Sequence, residues 1–417
     1  MKTFISGFIA LFLLSGCASI ATRELSNVRS GFANDDFVAA ADVYAESKPI
    51  ESQDSLQLLT TGLANFQDKN YKLSDSAFEE FNKRNYDTIG GSIVRETKTL
   101  IGGGLAAEYK PSMMDSLFVS YYQIWDAIGE GRKNDVRVII NQSYARQQDM
   151  SRAYADLVEK NKNRTNENNS ELMTKLQEQN ATWAAYTDIM NPALMYLSGI
   201  WFLNAGDFND AETYLKRAVG MTQNASYVTT DLAAAETKTK PTNTTWVFIE
   251  SGFAPMLQEQ EISLPVITGN GIIWVSIAVA EPVFSNSTLS ISGAEQIADV
   301  NAMFMTEFNE YRVNDALRAW TSAVARAVAQ GVAYNSNSRY AGLLGLTSTI
   351  FSLATTNAEV RSWVTLPEKI SVMRLKTADL IKNNFIATLG TELPNKGNHL
   401  IYVRLTGGTP VVHVFKI

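Results

Sequence analysis

The chain offers few side chains for thiol or imidazole chemistry. Its 417 residues include one cysteine, Cys17, and two histidines, His399 and His413. A structural zinc site takes four thiolate or imidazole ligands, so cysteine and histidine cannot form one here. A serine–histidine–aspartate triad would have to use one of the two histidines. Both lie in C-terminal stretches of alternating apolar residues, so we interpret them as strand residues and expect no metal and no cofactor.

Two further patterns are weak chemical signals. Gly102, Gly103 and Gly104 form a triplet that lacks the Lys and Ser/Thr of a phosphate-binding loop, so we interpret it as a connector. Aspartate and glutamate total 43, and paired carboxylates can cleave glycosidic bonds. No pair stands out by its spacing. We therefore expect a protein that is not an enzyme. A peptidoglycan-cleaving or sugar-modifying enzyme stays open as an alternative.

Cys17 has a specific context. It ends the sequence Leu14-Ser15-Gly16-Cys17, which follows an apolar run from Phe4 that is too short for a permanent transmembrane helix. The pattern resembles the lipobox of bacterial lipoproteins, whose cysteine thiol is diacylglyceryl-modified before cleavage. We therefore predict a lipoprotein signal peptide at 1–16 and lipidation of Cys17, with acyl chains such as palmitate.

Composition and the next residue predict where the lipidated chain works. Ala18 stands where Asp would resemble an inner-membrane retention signal, so we expect an outer-membrane lipoprotein on the periplasmic face. The net charge of −7 disfavours nucleic acid as a partner, and it disfavours binding to anionic lipid through a cluster of basic residues. Because two hydrophobic signals already give stable attachment, the acyl chains would anchor the protein unaided.

The N-terminal half has a helical pattern. From Ala21 to about Ser226, apolar residues recur at spacings of three and four. The clearest unit runs from Met195 to Ala218, where Gly199 allows two helices to approach and aromatic residues pack the second helix. Related units lie at 37–81 and, in degenerate form, at 117–147. They look like tetratricopeptide (TPR) hairpins, which stack and leave a concave surface. We predict a TPR-like domain at 17–232.

Four aromatic residues of this domain are the predicted partner-binding positions. They are Tyr122, Trp125, Trp201 and Phe202. Aromatic residues at helical spacing are core residues in most proteins, and this alternative stays open at the sequence level.

After a linker at 233–245 the apolar period changes to two, which predicts strands. The predicted strands are Trp246 to Glu250, Glu261 to Ile267, Ile272 to Val279, Ser287 to Ser292, Lys369 to Leu375, Phe385 to Leu389, His399 to Leu405 and Pro410 to Ile417. Gly407-Gly408 favours a hairpin between the last two. The fold class is therefore α+β, in which a mostly antiparallel, sandwich-like β domain at 246–417 follows the helices.

A helical hairpin is predicted inside the β domain, at about 300–362. Its halves are Val313 to Tyr334 and Tyr340 to Thr355, and small residues in the second half permit tight pairing. We interpret this hairpin at 313–355 as a buried element or an oligomer contact. Contact of its apolar second half with lipid is an alternative.

Three segments together resemble a functionally uncharacterised family of mostly proteobacterial TPR-containing outer-membrane lipoproteins. The first consists of Val136 to Gln148 and Asn191 to Gly199, and the second of Trp246 to Pro255 and Ile262 to Pro265. The third is Arg361 to Ile370. The resemblance implies an outer-membrane scaffold, encoded near lipoproteins similar to activators of penicillin-binding proteins. We interpret two residues of these segments structurally, Trp363 as a core residue and Glu250 as an acceptor for backbone donors at a bulge.

The expected function is a lipid-anchored, non-enzymatic scaffold that binds an envelope protein, with a role in envelope or peptidoglycan assembly. The alternative is a self-assembling structural or secretion component of the outer membrane, forming a homo-oligomer through the 313–355 hairpin.

Overall fold

A computed structural model describes most of the chain. The described residues are 20–86, 109–162, 170–180, 190–222, 225–268, 271–285, 287–289, 291–336, 358–382, 389, 392 and 394–417. Several predictions fall outside these residues: the signal peptide, Cys17, the triplet Gly102 to Gly104, the strand segment 385–388 and the second half of the helical hairpin at 340–355.

Helices make up most of the described chain before residue 237, and strands follow, so the fold class is α+β. The helices are α1 (20–33), α2 (Phe37–Tyr44), α3 (Ser55–Gln67), α4 (Tyr71–Tyr86), α5 (Met113–Gly129), α6 (Lys133–Lys162), α7 (Ser170–Asn180), α8 (Pro192–Ala205), α9 (Phe208–Met221) and α10 (Ser226–Glu236). The predicted linker at 233–245 therefore begins as the last turn of α10.

Local sequence sets where several of these helices begin. Asp54 accepts hydrogen bonds from the first turn of α3, and Gln57 reaches back to complete a capping box. Ser112 and Asp115 form the same motif at the start of α5. Asn191 caps α8. These side chains accept hydrogen bonds from N–H groups that have no partner inside the helix.

Consecutive helices pack in pairs at the predicted repeat units. In the α3–α4 pair, Gly62 lies so close to Phe78 that a Cβ there would come within 2.5 Å of the ring. In the α8–α9 pair, a Cβ on Gly199 would lie 2.6 Å from Cγ of Leu215. A small residue therefore lets each pair of helices approach closely.

The strands form one five-stranded sheet and one separate two-stranded sheet. They are β1 (Thr244–Ser251), β2 (Met256–Thr268), β3 (Gly271–Val283), β4 (Glu295–Asp299), β5 (Lys369–Lys376), β6 (His399–Leu405) and β7 (Val411–Lys416). The large sheet has the order β4-β5-β1-β6-β7, and β2 pairs with β3 alone. Among the strand pairs of this sheet in the described ranges, only β1–β6 is parallel. The predicted hairpin of β6 and β7 is confirmed.

One strand prediction needs correction. The segment Ser287 to Ser292 has no strand among its described residues; the chain turns at Gly293 (φ +83°), and the strand forms afterwards at Glu295–Asp299. The β5 strand pairs with β1 along one edge and with β4 along the other.

The large sheet buries both faces, and alternate residues of each strand belong to different cores. On one face, Trp246, Phe248 and Tyr402 share a core with the helices. On the other, Val247 and Ile401 belong to a smaller core that also includes Leu289 and Leu380. Since the described segments on that second face are not strands, the structure shows a helix-covered mixed sheet and does not show the predicted sandwich.

The predicted helical insertion starts as one long helix, α11 (Val300–Ser336). The carboxylate of Glu307 accepts hydrogen bonds from the backbone N–H groups of Met113 (2.7 Å) and Met114 (3.0 Å), so α11 caps α5. Further along, Val313, Leu317 and Trp320 pack against the β2–β3 hairpin and α7. Among the described helices, none combines the length and apolar character needed to cross a bilayer.

The close α8–α9 contact predicts a strong dependence on Gly199. Gly199→Ala should lower the free energy of unfolding by about 1–3 kcal/mol because the added methyl group overpacks Leu215. Gly220→Ala in α9 is the matched control, because nothing lies within 4 Å of a Cβ there. It should be neutral or slightly stabilising. Urea unfolding followed by circular dichroism measures both, and equal effects would contradict the packing argument.

Candidate functional site

The candidate site is the helix–sheet interface, where α3, α5 and α8 meet the inner face of β1, β6 and β7. Trp125 of α5 contacts Phe248, Tyr402 and Phe415, with ring centroids 5.3, 5.8 and 5.6 Å apart. Phe66 of α3 lies 4.8 Å from Tyr402. Aromatic rings from helices and strands therefore form one continuous layer, with the edge-to-face and tilted geometries that ring quadrupoles favour.

A buried ion pair lies within this layer. The guanidinium of Arg404 (β6) lies 3.2 Å from Oε2 of Glu250 (β1). The hydroxyls of Tyr122 (2.9 Å) and Tyr402 (2.7 Å) donate to the same oxygen, and a second nitrogen of Arg404 donates to the carbonyl of Thr365 at 2.9 Å. Glu250 is 0 % and Arg404 1 % exposed. One carboxylate therefore connects α5, β1 and β6.

This environment changes the proton affinity of its members. Burial raises the pKa of Glu250, against the opposing effects of Arg404 and the two hydroxyls. Burial, reinforced by the charge of Glu250, raises the pKa values of Tyr122 and Tyr402 well above their usual range, so both phenols stay protonated and donate. The pair holds the interface in one arrangement, and its desolvation offsets much of its own attraction.

A second buried carboxylate joins other elements of the same two layers. Asp231 of α10 accepts hydrogen bonds from the Tyr196 hydroxyl (2.7 Å), the Trp246 indole N–H (2.6 Å) and the Arg374 guanidinium (2.8 Å). It is 0 % exposed, and burial raises its pKa despite these partners. It connects α8 and α10 with β1 and β5. Glu250 and Asp231 are thus two separate fixed points between helices and sheet.

His413 of β7 lies at the edge of the interface. Its ring packs 4.8 Å from that of Phe66, and its Nδ1 lies 3.1 Å from the Tyr71 hydroxyl. Burial, with a smaller effect of the Lys69 charge, lowers the pKa of His413 to about 3. Burial also lowers the pKa of His399. The His413 imidazole is therefore neutral in the folded protein near pH 7.

The four predicted partner-binding aromatics lie in the core. Tyr122 and Trp125 are 0 % exposed at the helix–sheet interface, Phe202 is 1 % and Trp201 8 % exposed. Phe202 stacks on Tyr214 at 5.4 Å within the α8–α9 pair. The expectation that they line an open groove is therefore corrected. The protein's own sheet covers Tyr122 and Trp125, while helix pairing buries Phe202.

Glu250 also has a different role from the one predicted. Its carboxylate oxygen pairs with Arg404 and two hydroxyls rather than with backbone donors at a bulge. Arg404 and Asp231 were missed as interface residues. The strand alternation could have identified Glu250 and Arg404. Glu250 follows Phe248 by two residues and Arg404 follows Tyr402 by two, so each charged side chain lies on the same face of its strand as a large aromatic residue. Trp363, predicted as a core residue, is 2 % exposed.

What the interface does chemically is hold two layers together. Glu250, Asp231 and Arg404 are 0 to 1 % exposed, so both carboxylates are closed off from solvent. Within the described ranges, no three His, Cys, Asp or Glu side chains converge as metal ligands would. Compared with family models, curated proteins and solved structures, the chain matches none.

The buried pair predicts strong coupling between its two residues. Glu250→Gln should lower the free energy of unfolding by about 3–5 kcal/mol, because Arg404 is left buried without a counter-charge. Adding Arg404→Met should recover at least about 2 kcal/mol of this loss, since the lone charge is removed while Gln still accepts from the tyrosines. Urea unfolding of the double-mutant cycle measures the coupling. Additive effects of the two substitutions would contradict the interaction.

His413 predicts an acid-sensitive contribution to stability. Its folded pKa of about 3 lies below the ordinary value of 6.5, so the unfolded chain binds more protons between these two values. The contribution is therefore complete above pH 6.5 and falls by up to about 1.4 kcal/mol per pH unit as pH decreases toward 3. His413→Gln removes this titration. The difference in free energy of unfolding between wild type and His413→Gln, measured by urea unfolding, should shrink from pH 7 to pH 4.5. A difference that does not change with pH would contradict the assignment.

Proposed function

We propose that the protein is a lipid-anchored, non-enzymatic scaffold on the periplasmic face of the outer membrane, which holds an envelope protein partner near its anchor. The Leu14-Ser15-Gly16-Cys17 sequence and the presence of a single cysteine support the anchor. A role in envelope or peptidoglycan assembly rests on the resemblance to proteobacterial TPR-containing lipoproteins.

The helix pairs support a TPR-like architecture. In the α3–α4 and α8–α9 pairs, a glycine of the first helix, Gly62 or Gly199, packs against a large residue of the second, Phe78 or Leu215. Small residues at such positions are typical of helical repeat units, which stack on their neighbours to bury an apolar face.

The observation that carries the scaffold proposal is the shared core of helices and sheet. Residues from α1 through β7, from Leu25 to Phe415, belong to one cluster of buried side chains. Such a body holds its outer surfaces at fixed distances from the start of α1. Because Tyr122 and Trp125 are covered by the sheet, we expect the partner contact on the outer surface of α2, where Val43 (79 % exposed) and Val38 (40 % exposed) lie.

Crosslinking in intact envelopes tests the proposal. Wild type should capture a specific envelope protein. Cys17→Ala should capture at least about tenfold less of it, because the protein without its anchor is no longer held beside the partner. Metabolic labelling with a palmitate analogue should mark wild type and leave Cys17→Ala unlabelled.

Gly220→Ala is the matched control, because this substitution on α9 leaves Cys17 intact and meets nothing within 4 Å. It should keep both the lipid label and the partner. If wild type crosslinks only to itself, the self-assembling structural or secretion component replaces the scaffold. If Cys17 stays unlabelled in wild type, the lipid anchor is wrong.

A further inference from the structure

One face of the β2–β3 hairpin is covered at the stem, where Leu257 and Ala278 pack with Val360, and becomes exposed and apolar toward the tip. The cross-strand pairs on this face are Glu261 with Ala278, Ser263 with Ser276, Pro265 with Trp274 and Ile267 with Ile272. At the tip, Ile267 is 85 %, Ile272 56 % and Trp274 45 % exposed. Exposed large apolar side chains grouped in this way mark contact surfaces.

Charge follows the same gradient. Glu259, Glu261 and Glu281 lie at the stem, and no charged residue occurs between Glu261 and Glu281. A soluble edge strand is usually protected by charges, especially Lys. Here the exposed end of the hairpin carries isoleucine and tryptophan instead. Tryptophan with neighbouring aliphatic residues and no charge is the composition favoured at the interface between water and bilayer.

The middle of the other face of the hairpin is covered by helices. Ile262, Leu264, Val275 and Ile277 pack against α7 and the middle of α11, in a cluster that includes Trp320. The hairpin is therefore supported at its middle, and the exposed side chains of the tip project beyond this support.

The first described helix, α1, starts beside this hairpin. The Arg29 guanidinium donates to the carbonyl of Ala254, just before β2. Eight residues earlier, Ala21 packs on the cluster of Leu257, Ala358 and Val360. Eight helical residues cover about 12 Å, and the three residues from Ala254 to Leu257 cover about 10 Å. Traced back toward residue 20, α1 therefore follows β2 in the direction of the tip.

With this arrangement, the lipid on Cys17 and the tip of the hairpin can reach the same bilayer. Cys17 precedes Ala21 by four residues, a reach of at most about 14 Å. The ten residues from Leu257 to Ile267 extend about 33 Å along the hairpin. A lipid on Cys17 and the hairpin tip can therefore meet one bilayer surface if the hairpin lies obliquely to it.

We propose that the tip of the β2–β3 hairpin, formed by Pro265, Ile267, Ile272 and Trp274, docks into the interfacial region of the bilayer that holds the N-terminal lipid. This inference deepens the proposed function and rests on its anchored orientation. The tip gives the protein a second membrane contact that fixes its orientation on the surface, while the acyl chains supply attachment.

The chain offers a clean way to test this contact, because Cys17 is its only cysteine. A chain starting at Ala18 keeps every described residue and has no thiol. An N-terminal hexahistidine tag tethers it to phosphatidylethanolamine–phosphatidylglycerol vesicles that carry a nickel-chelating lipid. Ile267→Cys then receives a polarity-sensitive fluorophore, and Val138→Cys on α6, 52 % exposed, is the matched control.

Tethering should raise emission at position 267 by at least about twofold with a blue shift, because the label enters an apolar environment, and should leave position 138 unchanged. Ile272→Asp should abolish the change at 267, since it places a charge directly across the hairpin. Val138→Asp in the Ile267→Cys chain should have no effect. Unchanged circular dichroism spectra establish that the variants fold.

Three outcomes would overturn the inference: no change at 267 on tethered vesicles, equal changes at 267 and 138, or a change without vesicles that grows with protein concentration. The last would assign the tip to a second copy of the chain. Because the tag replaces the lipid, these outcomes are independent of whether Cys17 is acylated. The palmitate-analogue experiment tests that part of the proposed function separately.

Discussion

The buried carboxylate of Glu250 constrains how the helices can lie on the sheet. Its oxygen must receive the Arg404 guanidinium and the hydroxyls of Tyr122 and Tyr402 at once. A shift of α5 by one helical turn, about 5.4 Å, would take Tyr122 out of hydrogen-bonding range. The carboxylate would then be buried with fewer donors, at a high desolvation cost. Only one register of α5 on β1 and β6 satisfies this group.

Asp231 imposes the same condition at a second point. It needs Tyr196, Trp246 and Arg374, which come from α8, β1 and β5. Two separate points of this kind fix the orientation of the sheet as well as its position. The aromatic layer between them adds apolar burial, which is non-directional and proportional to area, whereas the carboxylates supply the direction.

The sheet covers the face of α5 that carries Tyr122 and Trp125. Helical repeats stack into a surface that commonly binds other proteins. Here Phe248, Tyr402 and Phe415 of β1, β6 and β7 cover Trp125, and Glu250 of β1 accepts the hydrogen bond of the Tyr122 hydroxyl. The exposed apolar side chains lie elsewhere, on the outer helices and on the β2–β3 hairpin. A scaffold built in this way would use its rigid body to set distances rather than to enclose a peptide.

The sequence alone determined the local elements. The apolar spacing around Gly199 predicted the α8–α9 pair, and period-two alternation predicted β1, β2, β3, β5, β6 and β7, because both patterns depend on residues within one element. The fold class α+β followed from their order along the chain. The segment Ser287 to Ser292 misled because alternation alone does not reveal that Gly293 turns the chain.

Only the tertiary structure decided what these elements face. The parallel pairing of β1 with β6 and the bond from Tyr122 to Glu250, 128 residues apart, depend on which elements become neighbours. The aromatic spacing of α5 is the same for a groove and for a core, so the sequence left Tyr122 and Trp125 open to both interpretations. The sheet that buries them comes from chain more than a hundred residues away, and no local pattern encodes that contact.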